Sequence, residues 1–376
     1  MKIIRVLMVL ASTNVGGAEM FVLNLLRNMD LKRFQVDIVV SLKEKNNGIG
    51  NELKRLGCRI YSLPFYKGYN YLQYRKAWKE FFINNHYDIV HGHVTNSAGI
   101  YLHIAKSMGC ATIAHCHSAG YRGNWFERIV KYYLSRKARN VADYWFACSE
   151  KAAEHLFGKT FYTYGNYYTI PNAINTDKYL YNENCAMKVR KEYGVAKDTL
   201  LCGHVGSFTA PKNHLFLIDI FYKILQRNPN SKLLCCGEGD LMSRFKEKAE
   251  QLGIADKLIL PGIVKNVNEC LMSMDVFIFP SLFEGFPLSV VEAEATGLPV
   301  VMSDTITKEI DLLDSVERCS IKDDPAIWAE RVCKLRRNER QACNQMISNS
   351  KYNMSVAAKM VMSLYDKMVQ EKENGI

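Results

Sequence analysis

The chain has 376 residues, of which 48% are apolar, and a formal net charge of +11. That length and apolar content suit two domains of ordinary size, each able to bury a core. No apolar segment approaches the ~20 residues that cross a bilayer. The twelve cysteines include no C-x-x-C pair or zinc-type spacing, and several sit inside apolar runs (Cys148, Cys202, Cys235, Cys236). This excludes a disulfide scaffold and reads as the usage of a reducing compartment.

In chain order, residues 3–11 form the first apolar run. Arg5 interrupts it and it leads straight into a glycine turn, so a buried strand fits better than a signal peptide. Further strands are predicted at 34–42, 59–63, 87–91, 112–117 and 144–149, and in the second half at 200–207, 232–237, 257–260, 276–280 and 299–303. Continuous apolar strands separated by amphipathic helices predict parallel sheets covered on both faces. Each half opens as strand, glycine loop, helix: 7–17 into 18–29, and 200–212 into 213–226. The expected architecture is α/β, with two Rossmann-like domains whose parallel sheets face across a cleft. The domains are 1–171 and 172–354, joined through polar, poorly periodic 172–197. A last helical stretch lies within 355–376.

The charge is lopsided. Residues 1–170 carry +12 and the remainder −1, which predicts a polyanionic partner for the first half. Two segments there, 65–82 and 122–139, mix aromatics with cations such as Lys131, Arg136, Lys137 and Arg139. They suit a membrane interface, a lipid-linked acceptor or nucleic acid, or equally a helix with an aromatic core face and a solvated basic face. No nucleic-acid module is recognisable, and nucleic acid is not expected as a partner.

Segment 280–292, P-S-L-F-E-G-F-P-L-S-V-V-E, is the most informative stretch. A strand ends in a turn bearing Glu284, and an apolar helix follows carrying Glu292. Pro287 suits the first helical position, which would leave the amides of Phe286, Leu288 and Ser289 facing a phosphate. Glu292 in an apolar helix is costly unless used. Gly16 and Gly17 open the first helix, where a backbone can approach a ligand. Two His-x-His pairs, His91/His93 and His115/His117, fall at strand ends. A zinc site there needs a third ligand that spacing does not provide, and strand-end capping is the alternative. His91 and His93 are expected to line the cleft.

The segment 280–292, continued by Ala293, Ala295, residues 297–301 and Ser303–Asp304, resembles the E-x7-E signature of retaining, nucleotide-sugar-dependent GT-B glycosyltransferases. Other strings share the resemblance. G-G-A-E at 16–19 is similar to a turn beside the donor diphosphate. I-P-N-A-I-N at 170–175 resembles I-P-N-G-V-D, with Ala173 and Asn175 departing from it. H-V-G-S-F-T-A-P-K-N at 204–213 resembles V-G-R-x4-K-[GN], keeping Lys212 and Asn213 but placing Ser207 where arginine is usual. Residues 236–239 resemble a G-x-G turn, and the loop around Ile263 resembles one that meets the nucleobase through main-chain groups.

The chain thus resembles family 4 glycosyltransferases of bacterial exopolysaccharide and capsule synthesis. The resemblance implies transfer with retention from a nucleotide sugar, a UDP-sugar, to a hydroxyl of a glycan or lipid-linked acceptor. It implies a cytoplasmic enzyme, peripheral on the inner membrane face, with no bound metal or other cofactor. His117 would contact the donor sugar, Glu284 would hold its hydroxyls, and Lys212 would hold the leaving diphosphate. Glu292 would bind the ribose, with Gly16, Gly17, Ser207, Asn213, Ile263 and the helix-end residues completing the donor site. The terminal helix would pack back onto the first domain. A GT-B nucleotide-sugar epimerase and a non-catalytic nucleotide-sugar-binding subunit remain open alternatives.

Overall fold

The computed structural model describes residues 2–14, 16–42, 48–117, 125–163, 165–284, 286–335 and 339–375. It divides into two units, 1–173 with 354–376, and 174–353. Most of the apolar runs become strands buried on both faces, the pattern of a parallel sheet covered by helices, while the edge runs at 60–62 and 258–262 are less buried. Unit 1 contains β1 (Ile4–Leu10), β2 (Phe34–Val40), β3 (Ile60–Ser62), β4 (Ile89–Gly92), β5 (Ala111–Cys116), β6 (Tyr144–Ala147) and β7 (Tyr167–Thr169). Unit 2 contains β8 (Leu200–Val205), β9 (Ser231–Cys236), β10 (Leu258–Gly262), β11 (Val276–Phe279), β12 (Val300–Ser303) and β13 (Val316–Cys319).

The strand orders are β3-β2-β1-β4-β5-β6-β7 and β10-β9-β8-β11-β12-β13. In each sheet the first strand of the unit lies centrally, where the order reverses. Every strand pairing is parallel, and β1 runs beside β2 from Ile4 opposite Phe34 to Leu10 opposite Val40. The doubly wound form anticipated from the sequence is therefore present twice. Sequence patterning missed β7 and β13. Both are short edge strands, and most of their residues are half-buried, so neither shows a continuous apolar run.

The terminal helix Met354–Glu373 belongs to unit 1. Its Ala358, Val361, Tyr365 and Met368 join the same buried cluster as Val6, Met8 and Leu26. Arg33 and Asp366 pair across that packing at 2.5 Å. All twelve cysteines are free thiols, nine of them buried.

Candidate active site

In a doubly wound sheet, ligand-binding groups collect on loops at the carboxyl ends of strands. In unit 2 the loops after β8, β9, β10 and β11 are stitched together there. The Gly206 amide donates to Cys236 O, the Phe208 amide to Glu238 O, and the Gly237 amide to Gly262 O. The Leu282 amide donates to Pro211 O at 2.8 Å, tying the β11 loop to the β8 loop.

This stitching brings together two predicted residues that lie far apart in sequence. Lys212 Nζ sits 2.8 Å from Glu284 Oε1, with both side chains about 17% exposed. The ammonium also lies 4.7 Å above the ring of Phe279, the last residue of β11. An ammonium against a carboxylate and an aromatic face is partly desolvated, so its charge is held in place, while Glu284 offsets part of that charge until a ligand separates the pair.

Asn213 has φ 56° and ψ 41°, a left-handed conformation that asparagine tolerates, and it caps the helix His214–Arg227. Its side-chain amide donates to Pro280 O at 3.1 Å. Asn213 thus braces the site by tying one loop to the other. Ser207 is exposed and lies 3.5 Å from the Thr209 hydroxyl. Ile263 is 76% exposed.

Pro287 does not occupy the first helical position. It is the N-cap of the helix Leu288–Ala295, with ψ 90°, and the first intrahelical bond runs from the Val290 amide to its carbonyl. Proline's fixed φ suits this entry as well, and the helix begins one residue later than expected. Leu288 and Ser289 supply the first-turn amides. The Phe286 ring stacks on Tyr352 at 5.8 Å, which directs that residue into packing.

Glu292, half-buried, accepts a hydrogen bond from Tyr179 Oη at 2.7 Å. Burial raises its pKa above the ordinary carboxyl range, and the Tyr179 bond opposes that rise. Two residues on, Glu294 is fully buried. Its Oε1 accepts from the amides of Leu312 and Leu313 at 2.9 and 3.1 Å, pinning that loop to the helix. Burial pushes its pKa well above the usual range. The folded state therefore holds the proton more tightly than the unfolded chain. Glu294's contribution to stability is fully present below the ordinary carboxyl pKa and is lost as pH rises through the folded value. Glu294→Gln is expected to keep the fold and flatten this decline. Glu294→Ala, which strands one buried and one part-buried amide, should cost about 2–4 kcal/mol. Thermal unfolding from pH 4 to 8 checks both.

In unit 1, Gly16 is the extended N-cap of the helix Gly17–Arg27. Glu19 folds back against it, so a side chain at Gly16 would collide with the Glu19 carboxylate, whereas one at Gly17 would meet open space. The four histidines form a stack of two hydrogen-bonded pairs. His91 Nε2 faces His115 Nδ1 at 3.0 Å, and His93 Nδ1 faces His117 Nε2 at 2.7 Å. His91 stacks on His93 with centroids 4.3 Å apart, and His115 on His117 at 4.1 Å. Tyr365 closes one end through His91 Nδ1 at 2.6 Å, and Asn172 the other, through His117 Nδ1 at 3.0 Å.

His91, in β4, and His93, just after it, are buried and do not line an open surface. Desolvation keeps the stack neutral, holding His117 at about 4 and His91 at about 3. His91, His93 and His115 do offer one nitrogen each within 4.8 Å of one another, supplying the third residue that spacing could not. His91 Nε2 and His115 Nδ1 already share a hydrogen bond at 3.0 Å, however, so two of the three nitrogens are aimed at each other and not at a common tetrahedral centre. With Asn172 Oδ1 accepting from His117 Nδ1–H, His117 Nε2 accepts from His93 Nδ1–H. Both nitrogens of His117 are engaged, and a sugar hydroxyl bonding to either must displace His93 or Asn172.

The basic helix spans Trp125–Arg139. Arg136 lies 4.8 Å over the Tyr132 ring, and Arg139 donates to Phe157 O at 3.1 Å, capping the helix Glu150–Phe157. Lys137 is exposed, and the Lys131 side chain lies outside the described residues. Two of the four cations are thus turned onto their own unit. Trp125, Ile129, Val130 and Tyr133 are exposed. Their i, i+4, i+5, i+8 spacing puts them on one outward face.

A model of Glycosyltransferase Family 4 matches residues 15–178, and a model of glycosyl transferases group 1 matches residues 199–338. The first lies almost wholly in unit 1 and the second within unit 2, and the chain is a glycosyltransferase of the GT-B architecture. It is 29% identical over 381 residues to EpsF of Bacillus subtilis (strain 168), spanning 98% of both chains; that protein's own glycosyltransferase name is provisional. It is 23% identical over 344 residues to the capsular polysaccharide biosynthesis glycosyltransferase CapH of Staphylococcus aureus, spanning 88% of this chain and 90% of CapH. Among solved structures, a glycosyltransferase from Rickettsia africae ESF-5 superposes with TM-score 0.77 at 15% identity, over 98% of this chain and 99% of that one. Anabaena HepE in complex with UDP does so with TM-score 0.72 at 15% identity, over 99% of each chain.

Proposed function

We propose that the protein transfers a sugar, with retention at the anomeric carbon, from a UDP-sugar to a hydroxyl of a glycan or lipid-linked acceptor in cell-surface polysaccharide synthesis. The observation that carries this reading is the Lys212–Glu284 pair at 2.8 Å on two joined loops, followed by the helix that carries Glu292, whose carboxylate Tyr179 holds at 2.7 Å. One cation, a carboxylate on the loop joined to it and a second carboxylate on the following helix suit a donor's diphosphate, sugar and ribose, in that order. The relatives' names supply the polysaccharide context, and the UDP bound in HepE supplies the nucleobase.

The reaction needs no divalent ion on this reading. Negative charge building on the departing diphosphate is met by Lys212 and the amides of Leu288 and Ser289, groups fixed before the reaction begins. Incubation with a panel of nucleotide sugars and a lipid-linked acceptor is expected to give an α-configured product from UDP-α-sugars. The rate should survive a chelator, and restoration only by added divalent ions rejects the metal-free step. Exposed Ser207 favours one other reading, a subunit that binds donor without turning it over. Product formation excludes it, and release of an epimerised nucleotide sugar without acceptor would identify an epimerase.

The acceptor side rests on the helix Trp125–Arg139. Its outward apolar face and the +12 charge of residues 1–170 support peripheral docking on an anionic membrane face. Each cation near such a surface contributes about 1 kcal/mol. Neutralising Lys131, Arg136, Lys137 and Arg139 is expected to weaken co-sedimentation with anionic vesicles, and Trp125→Ser with Tyr133→Ser to weaken it further. Equal binding to neutral and anionic vesicles across a salt series assigns this face to solvent.

A further inference from the structure

Tyr179 was not singled out by sequence, and its hydroxyl is committed to one carboxylate oxygen of Glu292. It ends a short 3-10 turn, Thr176–Tyr179, capped by the Asn175 side chain accepting from the Asp177 amide. That turn is bolted to the helix bearing Glu292. The buried Asn344 side-chain amide donates to Thr176 O at 3.1 Å and to Ala295 O at 2.8 Å, so one amide group clamps the turn to the last residue of the helix. The Asn268 side chain donates to Lys178 O at 2.9 Å from a third element. The Tyr179 phenol is thus held on a rigid support against the same helix it serves.

A carboxylate that reads a vicinal diol must present both oxygens in one plane toward the two hydroxyls. A free glutamate has three rotatable bonds to lose on doing so. A phenol donating to Oε1 fixes that plane beforehand, leaving Oε2 and the second lone pair of Oε1 for ligand hydroxyls. We infer that Tyr179 is a positioning residue for nucleotide recognition: it orients Glu292 so that this carboxylate discriminates a ribose from a deoxyribose. This rests on the reading above that Glu292 binds the ribose of the donor.

The test measures affinity of the full-length parent for UDP, GDP and ADP by calorimetry, then for the 2′-deoxy counterpart of the best binder. The same ratio is measured for Tyr179→Phe and Glu292→Ala. The parent should prefer the ribonucleotide by about tenfold, the size of one lost hydrogen bond to a charged group. Tyr179→Phe should reduce that preference by about threefold or more while binding the deoxynucleotide almost as well as the parent does. The phenol also favours the ionised carboxylate, so the pH below which the preference disappears should move upward in Tyr179→Phe. A merely structural tyrosine would weaken both nucleotides equally and move neither readout.

An unchanged preference in Tyr179→Phe, with a collapsed preference in Glu292→Ala, overturns the role of Tyr179 and leaves the ribose reading standing. An unchanged preference in Glu292→Ala, or no binding of any of the three diphosphates, overturns the ribose reading and the inference with it. Should Tyr179→Phe fail to fold, Asn344→Ala, which loosens the clamp and leaves the phenol in place, must show the same selective loss.

Discussion

Lys212→Ala is expected to lower kcat/KM by about 30- to 1,000-fold, or ~2–4 kcal/mol of transition-state stabilisation, the size of one lost preorganised electrostatic contact. The loss should fall mainly on kcat, because charge on the leaving diphosphate grows as the glycosidic bond breaks. No arginine shares the load at Ser207, which is exposed on the same loop. Lys212 also pairs with Glu284 at 2.8 Å, so its removal strands a part-buried carboxylate, and a single variant mixes the two effects. The double-mutant cycle with Glu284→Gln separates them. If Lys212 serves only to hold Glu284, the two single variants cost the same and the double variant costs no more. If it meets the diphosphate, the double variant is slower than either. Ser207→Arg in the Lys212→Ala background should recover part of the rate. Near-parental kinetics in Lys212→Ala reject the assignment.

The doubly wound halves were legible because their strands are unbroken apolar runs, a signal that survives without knowledge of contacts. Two of the four edge strands were not: Tyr167–Thr169 and Val316–Cys319 are short and mostly half-buried, so their sequences carry no continuous apolar run. Lys212 and Glu284 were each visible by motif, but their pairing depends on two loops joined through Pro211 and Leu282, a contact with no sequence signature. Glu294 was passed over because E-A-E in a helix reads as one useful glutamate and one solvated neighbour. In the fold it is the second that is fully buried. Tyr179 lay in the polar, poorly periodic junction 172–197, and nothing local marks a phenol as a carboxylate's partner. The basic helix misled in the opposite sense. Arg136 and Arg139 look like solvated charge, yet one covers a tyrosine ring and the other caps a helix. At the histidines, spacing gave the shared face of each His-x-His pair but not the hydrogen bonds that join one pair to the other.

Gly237→Ala is expected to destabilise the protein by about 3–5 kcal/mol, at the upper end of single-substitution effects. Two costs add at this position. Gly237 has φ +141°, a region L side chains rarely adopt, and a Cβ there would overlap the carbonyl oxygen of Gly206. That carbonyl belongs to backbone and cannot swing aside as a side-chain end would. The contact exists because the β8 and β9 loops are stitched by the Gly206 amide to Cys236 O and the Phe208 amide to Glu238 O. Forcing them apart moves the loop that carries Lys212. The substitution should therefore lower both the thermal midpoint and the affinity for nucleoside diphosphate. Gly253 is the control. Its φ is +67°, also left-handed, but a Cβ there meets nothing within 4 Å. Gly253→Ala should then cost only the ~1–2 kcal/mol of the left-handed conformation and leave nucleotide affinity unchanged. Thermal unfolding and calorimetry on the two variants decide the matter. Equal destabilisation would mean that backbone conformation alone accounts for Gly237, and that the close approach of the two loops has little bearing on the site.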